Sequence, residues 1–246
     1  AAATTFAVAG YATVPAGVAI SNVDTSKKGF LFRTVQSAEG LGNDTALREQ
    51  HLAGEVGGEN IADDWGSDDF VWTVELINMD QDGNPQGVFR DSGDGSTTDR
   101  ADDFIPGIPG IEGSTDNMSG ELLTYIEFPA AGYYTMIFNS DDGFLVSETH
   151  GVGDDRGATL GIFNGGRGAS DTTFGFAVAE PGLYPIRAIW YECGGGANLE
   201  WSSIVNGDGQ GHKTCERPCR NIRQVSTTRM LFENFVDCAD HWNRFC

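Results

Sequence analysis

Hydrophobic residues recur mostly at every second position along this chain, in short runs separated by Gly, Asp and Asn. That spacing predicts half-buried β-strands joined by tight turns. Strands are expected at Thr4–Val8, Gly29–Gln36, Phe70–Asn78, Gly120–Phe128, Gly132–Asn139, Phe144–Thr149, Thr172–Ala179, Leu183–Glu192 and Asn198–Val205. In the fifth of these, Tyr133, Thr135 and Ile137 alternate with Tyr134, Met136 and Phe138. Both faces are bulky, which predicts a central strand buried between two sheets. Trp201 is expected to fill the core where the last strand closes.

A helical period occurs twice. Thr45–Ala53 places Leu47 and Leu52 on one side, ends at Gly54 and is capped by Asn43 or Asp44. Thr227–Phe245 repeats Met230, Leu231, Phe235, Cys238, Trp242 and Phe245 at three- or four-residue steps, predicting a helix with one apolar stripe. The expected class is therefore all-β, an antiparallel β-sandwich with a short helical C-terminal appendage. Residues 1–28 are read as an N-terminal extended segment, 29–205 as the sandwich and 206–246 as the tail.

Composition sharpens this picture. The chain has 246 residues, 34 of them Gly and only 8 Pro, which suits many turns between short strands. The net charge is −21, and all of the negative excess lies before residue 206. Such a surface repels phosphate backbones, so nucleic acid is not an expected partner. Acid is densest in Glu59–Asp103, which is either a solvated face or a host for divalent cations. No apolar run is long enough to span a membrane. The opening Ala1-Ala2-Ala3-Thr4-Thr5 matches a mature exported chain after leader cleavage, so a secreted, extracellular or cell-surface protein is expected.

Four of the five cysteines lie in the tail, at Cys215, Cys219, Cys238 and Cys246. In an exported protein they read as two disulfides stapling the appendage. Of the three pairings, Cys215–Cys246 with Cys219–Cys238 is preferred because it nests two bridges in one antiparallel hairpin. Cys193 is left over, either as a buried free thiol or paired with another cysteine.

Catalytic signals are absent. The histidines His51, His150, His212 and His241 form no metal-spaced pair, and there is no Gly-x-Ser-x-Gly, phosphate loop or His-Glu-x-x-His. The chain is read as a non-enzyme with no catalytic residues. Asn78-Met79-Asp80-Gln81-Asp82-Gly83 fits the first half of an EF-hand loop, but position twelve is Phe89 rather than Glu. Asp80 and Asp82 then belong either to a looser calcium loop or to a hairpin turning at Asp82-Gly83. Tyr191, with Trp190 and Tyr133, is a candidate sugar platform, against the commoner role of aromatic packing.

Residues 120–201 carry a more specific order of landmarks. Ala131-Gly132-Tyr133-Tyr134-Thr135 precedes Asn139-Ser140-Asp141-Asp142-Gly143-Phe144, followed by Pro181-Gly182-Leu183-Tyr184-Pro185-Ile186-Arg187 and Gly194-Gly195-Gly196-Ala197-Asn198-Leu199-Glu200-Trp201. This order resembles the second half of a PA14 domain, a β-sandwich used for binding and assembly outside the cell. In calcium-dependent PA14 lectins of the yeast adhesin type, an adjacent Asp pair joined by a cis peptide holds Ca²⁺ that also contacts sugar hydroxyls. The resemblance implies Asp141 and Asp142 as metal and ligand contacts, and Asn198 as the best candidate for a third ligand. The plainer reading is a turn whose Asp side chains accept backbone N–H groups.

Two functions follow as expectations. The first is an extracellular structural or adhesive subunit, calcium-stabilised and self-assembling through the N-terminal strand and the C-terminal tail. The alternative is a calcium-dependent lectin module binding glycans as a monomer or small oligomer.

Overall fold

The computed structural model describes residues 13–14, 29–64, 71–81, 86–89, 93, 95, 99–149, 157–204, 216–218, 222–225 and 229–232. Alternating apolar runs become strands that pack as two six-stranded sheets. One sheet contains β1 (Thr13–Val14), β4 (Asn78–Asp80), β6 (Gly132–Asp141), β9 (Ser170–Val178), β11 (Asn198–Ile204) and β12 (Glu216–Pro218). Its order is β1-β9-β6-β11-β12, with β4 also paired to β11. The other runs β3 (Val71–Val74), β2 (Phe30–Gln36), β5 (Met118–Phe128), β10 (Gly182–Glu192), β7 (Gly143–Glu148), β8 (Thr159–Phe163). All pairings are antiparallel except β1 on β9.

Aromatic side chains bridge the two sheets. Phe138 of β6 stacks on Phe144 of β7 at 4.3 Å, and Phe128 of β5 meets Phe176 of β9 edge-on at 5.5 Å. Trp201 lies 5.6 Å from both Phe30 and Phe138 and is fully buried, the core position expected of it. Along β10, Tyr184, Ile186, Ala188 and Trp190 face this core. The alternate residues face outward under α1 (Thr45–Leu52), where Arg187 clamps Glu49. Asp44 caps α1 by accepting from the Leu47 N–H. Among the described residues, no helix is long and apolar enough to cross a membrane.

Three expectations are corrected. The strand expected over Phe70–Asn78 is two strands in different sheets, because the chain crosses between layers at 75–77. Thr159–Phe163 is a strand that periodicity missed. The helix expected over Thr227–Phe245 does not form at its start: Arg229–Phe232 is β14, paired with β13 (Ile222–Val225). A four-residue apolar–polar run fits either period, and pairing with a neighbouring strand decided it. Residues 233–246 lie outside the described set, as do Cys215, Cys219, Cys238, Cys246 and the strand expected at Thr4–Val8. Cys193 is a free, partly buried thiol.

Candidate functional site

The candidate residues gather where β6 ends, β7 and β11 begin and β10 stops. Asp141 is the last residue of β6 and Asn198 the first of β11, and the two are directly paired. Asn198 pairs on its other side with Asp80 of β4. Directly opposed residues share a sheet face, so Asp141, Asn198 and Asp80 form one rank across three strands. Two segments read separately in the sequence, the Asp pair and the Asn78–Gly83 stretch, thus meet at Asn198. Asn78–Asp80 is itself a strand. Asp80 Oδ2 accepts from the Gln86 N–H at 3.3 Å. Asp82 lies outside the described residues.

The Asp141–Asp142 peptide is cis, the geometry that the resemblance implies. The turn is braced on all sides. Trp190 Nε1 donates to the Asp141 carbonyl at 3.0 Å, the Asp142 N–H donates to the Tyr191 carbonyl at 2.9 Å, and Ser140 Oγ donates to the Asp142 carbonyl at 2.8 Å. The Asp142 carboxylate accepts the Arg167 N–H at 2.8 Å and the Cys193 N–H at 3.1 Å, one on each oxygen. Each oxygen keeps a lone pair for a further contact. Arg167 spreads its guanidinium over the Ser140 and Asp142 carbonyls, Ser140 Oγ and Thr172 Oγ1, while lying 4.2 Å from the Phe163 ring centroid. In the sequence Gly165-Gly166-Arg167-Gly168 reads only as a loop; its return onto the turn gives Arg167 this role.

Asn198 is fully buried and its Oδ1 accepts no hydrogen bond, while Nδ2 reaches the Met79 carbonyl at 3.4 Å. Glu192, also missed by the sequence reading, is fully buried at the end of β10, and neither carboxylate oxygen has a hydrogen-bond partner. Burial pushes its carboxyl up to about 8, helped by the negative charges of Asp116, Asp142 and Asp141; the nearby Gly194 N–H offsets this only weakly. Its signal was its parity: Glu192 follows Ala188 and Trp190 on the inward face.

No three of the described His, Cys, Asp or Glu side chains converge as a metal-binding group. The candidate set is of another kind, two Asp carboxylates and one amide oxygen, which suits a hard cation that also takes carbonyl and water ligands. The aromatic platform does not form. Tyr191 is fully buried, its hydroxyl donating to Asn164 Oδ1 and accepting from the Gly165 N–H, both at 3.0 Å. Trp190 is also buried, and exposed Tyr133 sits at the opposite end of β6. A ring closed on both faces offers nothing for a sugar to stack on.

No family model matches the sequence, and no curated protein matches it. Solved structures similar to the chain include a "PA14 domain of MpAFP Antifreeze protein", at TM-score 0.48 and 13% identity, covering 81% of this chain and 96% of that one. A "PA14 sugar-binding domain from RTX adhesin" gives TM-score 0.48 and 16% identity over 78% of this chain and 96% of that one. The Epithelial Adhesin 9 A domain from Candida glabrata, in complex with Galb1-3GlcNAc, gives 0.47 and 11% over 84% and 91%.

Proposed function

We propose that this chain is a non-enzymatic, extracellular carbohydrate-binding module of adhesive type, with its sugar site assembled on a calcium ion held by Asp141, Asp142 and Asn198. One observation carries the reading: Asn198 buries an amide oxygen, without any donor, in direct register with the Asp141–Asp142 turn. An orphaned buried acceptor costs about 1–3 kcal/mol, and beside two carboxylates a hard cation is the species that offsets it. Calcium takes more oxygens than these three residues offer, so backbone carbonyls, water and the hydroxyls of a sugar complete the shell. Arg167 and Trp190 keep the turn in place before the ion arrives.

A glycan array read with calcium and with excess chelator tests this. Binding should need calcium, and Asp142→Asn should abolish it while leaving the chain folded by circular dichroism. Glycan binding that survives chelation, or no calcium binding by calorimetry, would overturn the reading.

Self-association through the N-terminal strand and the C-terminal tail is the second reading. It is favoured by β1, which adds Thr13–Val14 in parallel to the β9 edge at Ala177–Val178. The same edge would accept this segment from another copy, and such head-to-tail donation builds open assemblies. Light scattering on the full chain and on a chain lacking residues 1–20 distinguishes them: large species lost on deletion support assembly, and a monomer in both sinks it.

A further inference from the structure

One rank below Asp141, Asn198 and Asp80, the same three strands carry Asn139, Glu200 and Asn78. Glu200 of β11 pairs with Asn139 of β6 on one side and Asn78 of β4 on the other. All three are buried, at 4%, 2% and 0% exposure. Both amides are anchored by their nitrogens on the side away from β11. Asn139 Nδ2 donates to Asp171 Oδ1 on β9 at 2.6 Å, and Asn78 Nδ2 donates to the Ala101 carbonyl at 3.0 Å, on the segment that runs beside β4. An amide held by its NH₂ turns its oxygen the other way. Both oxygens are therefore directed towards Glu200, and neither has a hydrogen-bond donor.

Residues 86–89 close this place from above. The Val88 and Phe89 N–H groups donate to the two Glu200 oxygens at 2.9 and 3.2 Å, and Gly87, at φ +72°, lies so close that any side chain there would collide with the carboxylate. Two backbone donors fix the carboxylate, and the two amide oxygens are left without a donor. Three oxygen-bearing groups from three adjacent strands, two of them buried amide oxygens without donors, call for a positive species.

We propose that the outer face of β4, β11 and β6 holds a second hard divalent cation, of the calcium class, between Asn78 Oδ1, Asn139 Oδ1 and the Glu200 carboxylate. It is separate from the ion assigned to Asp141, Asp142 and Asn198 and does not depend on it. Its place beneath residues 86–89 makes it a fastener between the acidic stretch and the sheet, where it would hold Asp80 and Asn198 in register.

Calcium titration of the full chain by calorimetry, with thermal unfolding in calcium and in chelator, tests the proposal. Wild type should bind two ions. Asp142→Asn should remove one and leave the other, whereas Asn78→Leu should remove the ion that Asp142→Asn leaves. Asn139→Asp loses the donor to Asp171 and brings two carboxylates together, so it should lower the melting temperature in chelator and recover most of that loss in saturating calcium. Loss of an ion in Asn78→Leu with none lost in Asp142→Asn would uphold this site and remove the other. If Asn139→Asp lowers the melting temperature equally with and without calcium, and the ion count is unchanged in both Asn variants, the place holds only a proton or water and the proposal fails. Asn139→Asp carries the test if Asn78→Leu does not fold.

Discussion

Arg187 and Glu49, 138 residues apart, form a two-pronged ion pair, Nη1 to Oε1 at 2.6 Å and Nη2 to Oε2 at 2.7 Å. The remaining guanidinium nitrogen, Nε, donates to Glu121 Oε1 at 2.7 Å, and Glu121 is in turn held by Arg33. One buried arginine on β10 therefore pins the single described helix of eight residues to the sheet that ends in the candidate site. Arg187→Met would leave Glu121, 6% exposed, without its inner partner. Breaking a buried pair from one side costs about 3–5 kcal/mol, and urea unfolding should show it. Arg187→Lys should recover only part, because a single ammonium cannot hold two carboxylates in the plane of a fork.

His51 makes the fold acid-sensitive. Burial, then the neighbouring Arg48 charge, push its imidazole down to about 4, and it sits 2.9 Å from Ser119 Oγ. A depressed histidine is neutral in the folded chain while the unfolded chain binds a proton near pH 6.5. Its contribution is therefore complete above about pH 6.5 and is lost as pH falls towards 4, on the order of 3 kcal/mol in all. Glu192, pushed up to about 8 chiefly by burial, acts in the opposite sense: it favours folding below about pH 4.5 and loses that contribution as pH rises through 8. The wild-type stability minus that of His51→Gln, measured by denaturant unfolding from pH 7.5 to 4, isolates the histidine. A difference that stays flat across this range would contradict its assignment as buried and neutral.

Arg167→Lys tests the brace behind the Asp pair. The guanidinium holds two carbonyls and two hydroxyls at once and lies over two aromatic rings, at 4.2 Å from Phe163 and 5.8 Å from Phe144. Lysine keeps the charge but loses the fork and the stacking. A loss of about 2 kcal/mol in stability is expected. Calcium affinity should fall with it while the ion count stays unchanged, since Arg167 positions Asp142 rather than binding the ion. Calorimetry that shows a lost ion instead would make Arg167 essential to the site's integrity.

Gly120 marks a close approach between strands. Any Cβ there would meet the Phe32 ring at 2.6 Å and Trp190 at 3.3 Å, and both side chains are fully buried. Gly120→Ala should cost about 1–3 kcal/mol through forced repacking. Because Trp190 also holds the Asp141 carbonyl, the same change should weaken calcium binding. Unfolding and titration of one preparation read both effects.

Sequence periodicity made the sandwich legible wherever a strand has one face in the core. β2, β5, β6, β7, β9, β10 and β11 lie within a few residues of their expected limits, because alternation of side chains is a local property of the extended chain. The helix at Thr45–Leu52 was equally local, written by the Asp44 cap and the two leucines. The pairing of Asp141 with Asp142 was also visible, since two adjacent carboxylates before a glycine need no neighbour to be noticed.

Everything that turns these residues into a site was decided by tertiary structure. Phe70–Asn78 reads as one run, yet the chain changes sheets inside it, because which layer takes a strand depends on partners far away in sequence. Asn198 gained Asp141 and Asp80 as neighbours only through register. The sequence left Tyr191 open between a sugar platform and core packing, and Arg48, Asn164 and Gly165 closing over it make it packing. Glu192 and Glu200 are ordinary acids in the sequence, and their burial comes from sheets and loops folded around them. Local alternation determines that these strands form and which side chains share a face. Long-range pairing alone decides which faces meet, and so where oxygen atoms are left without donors.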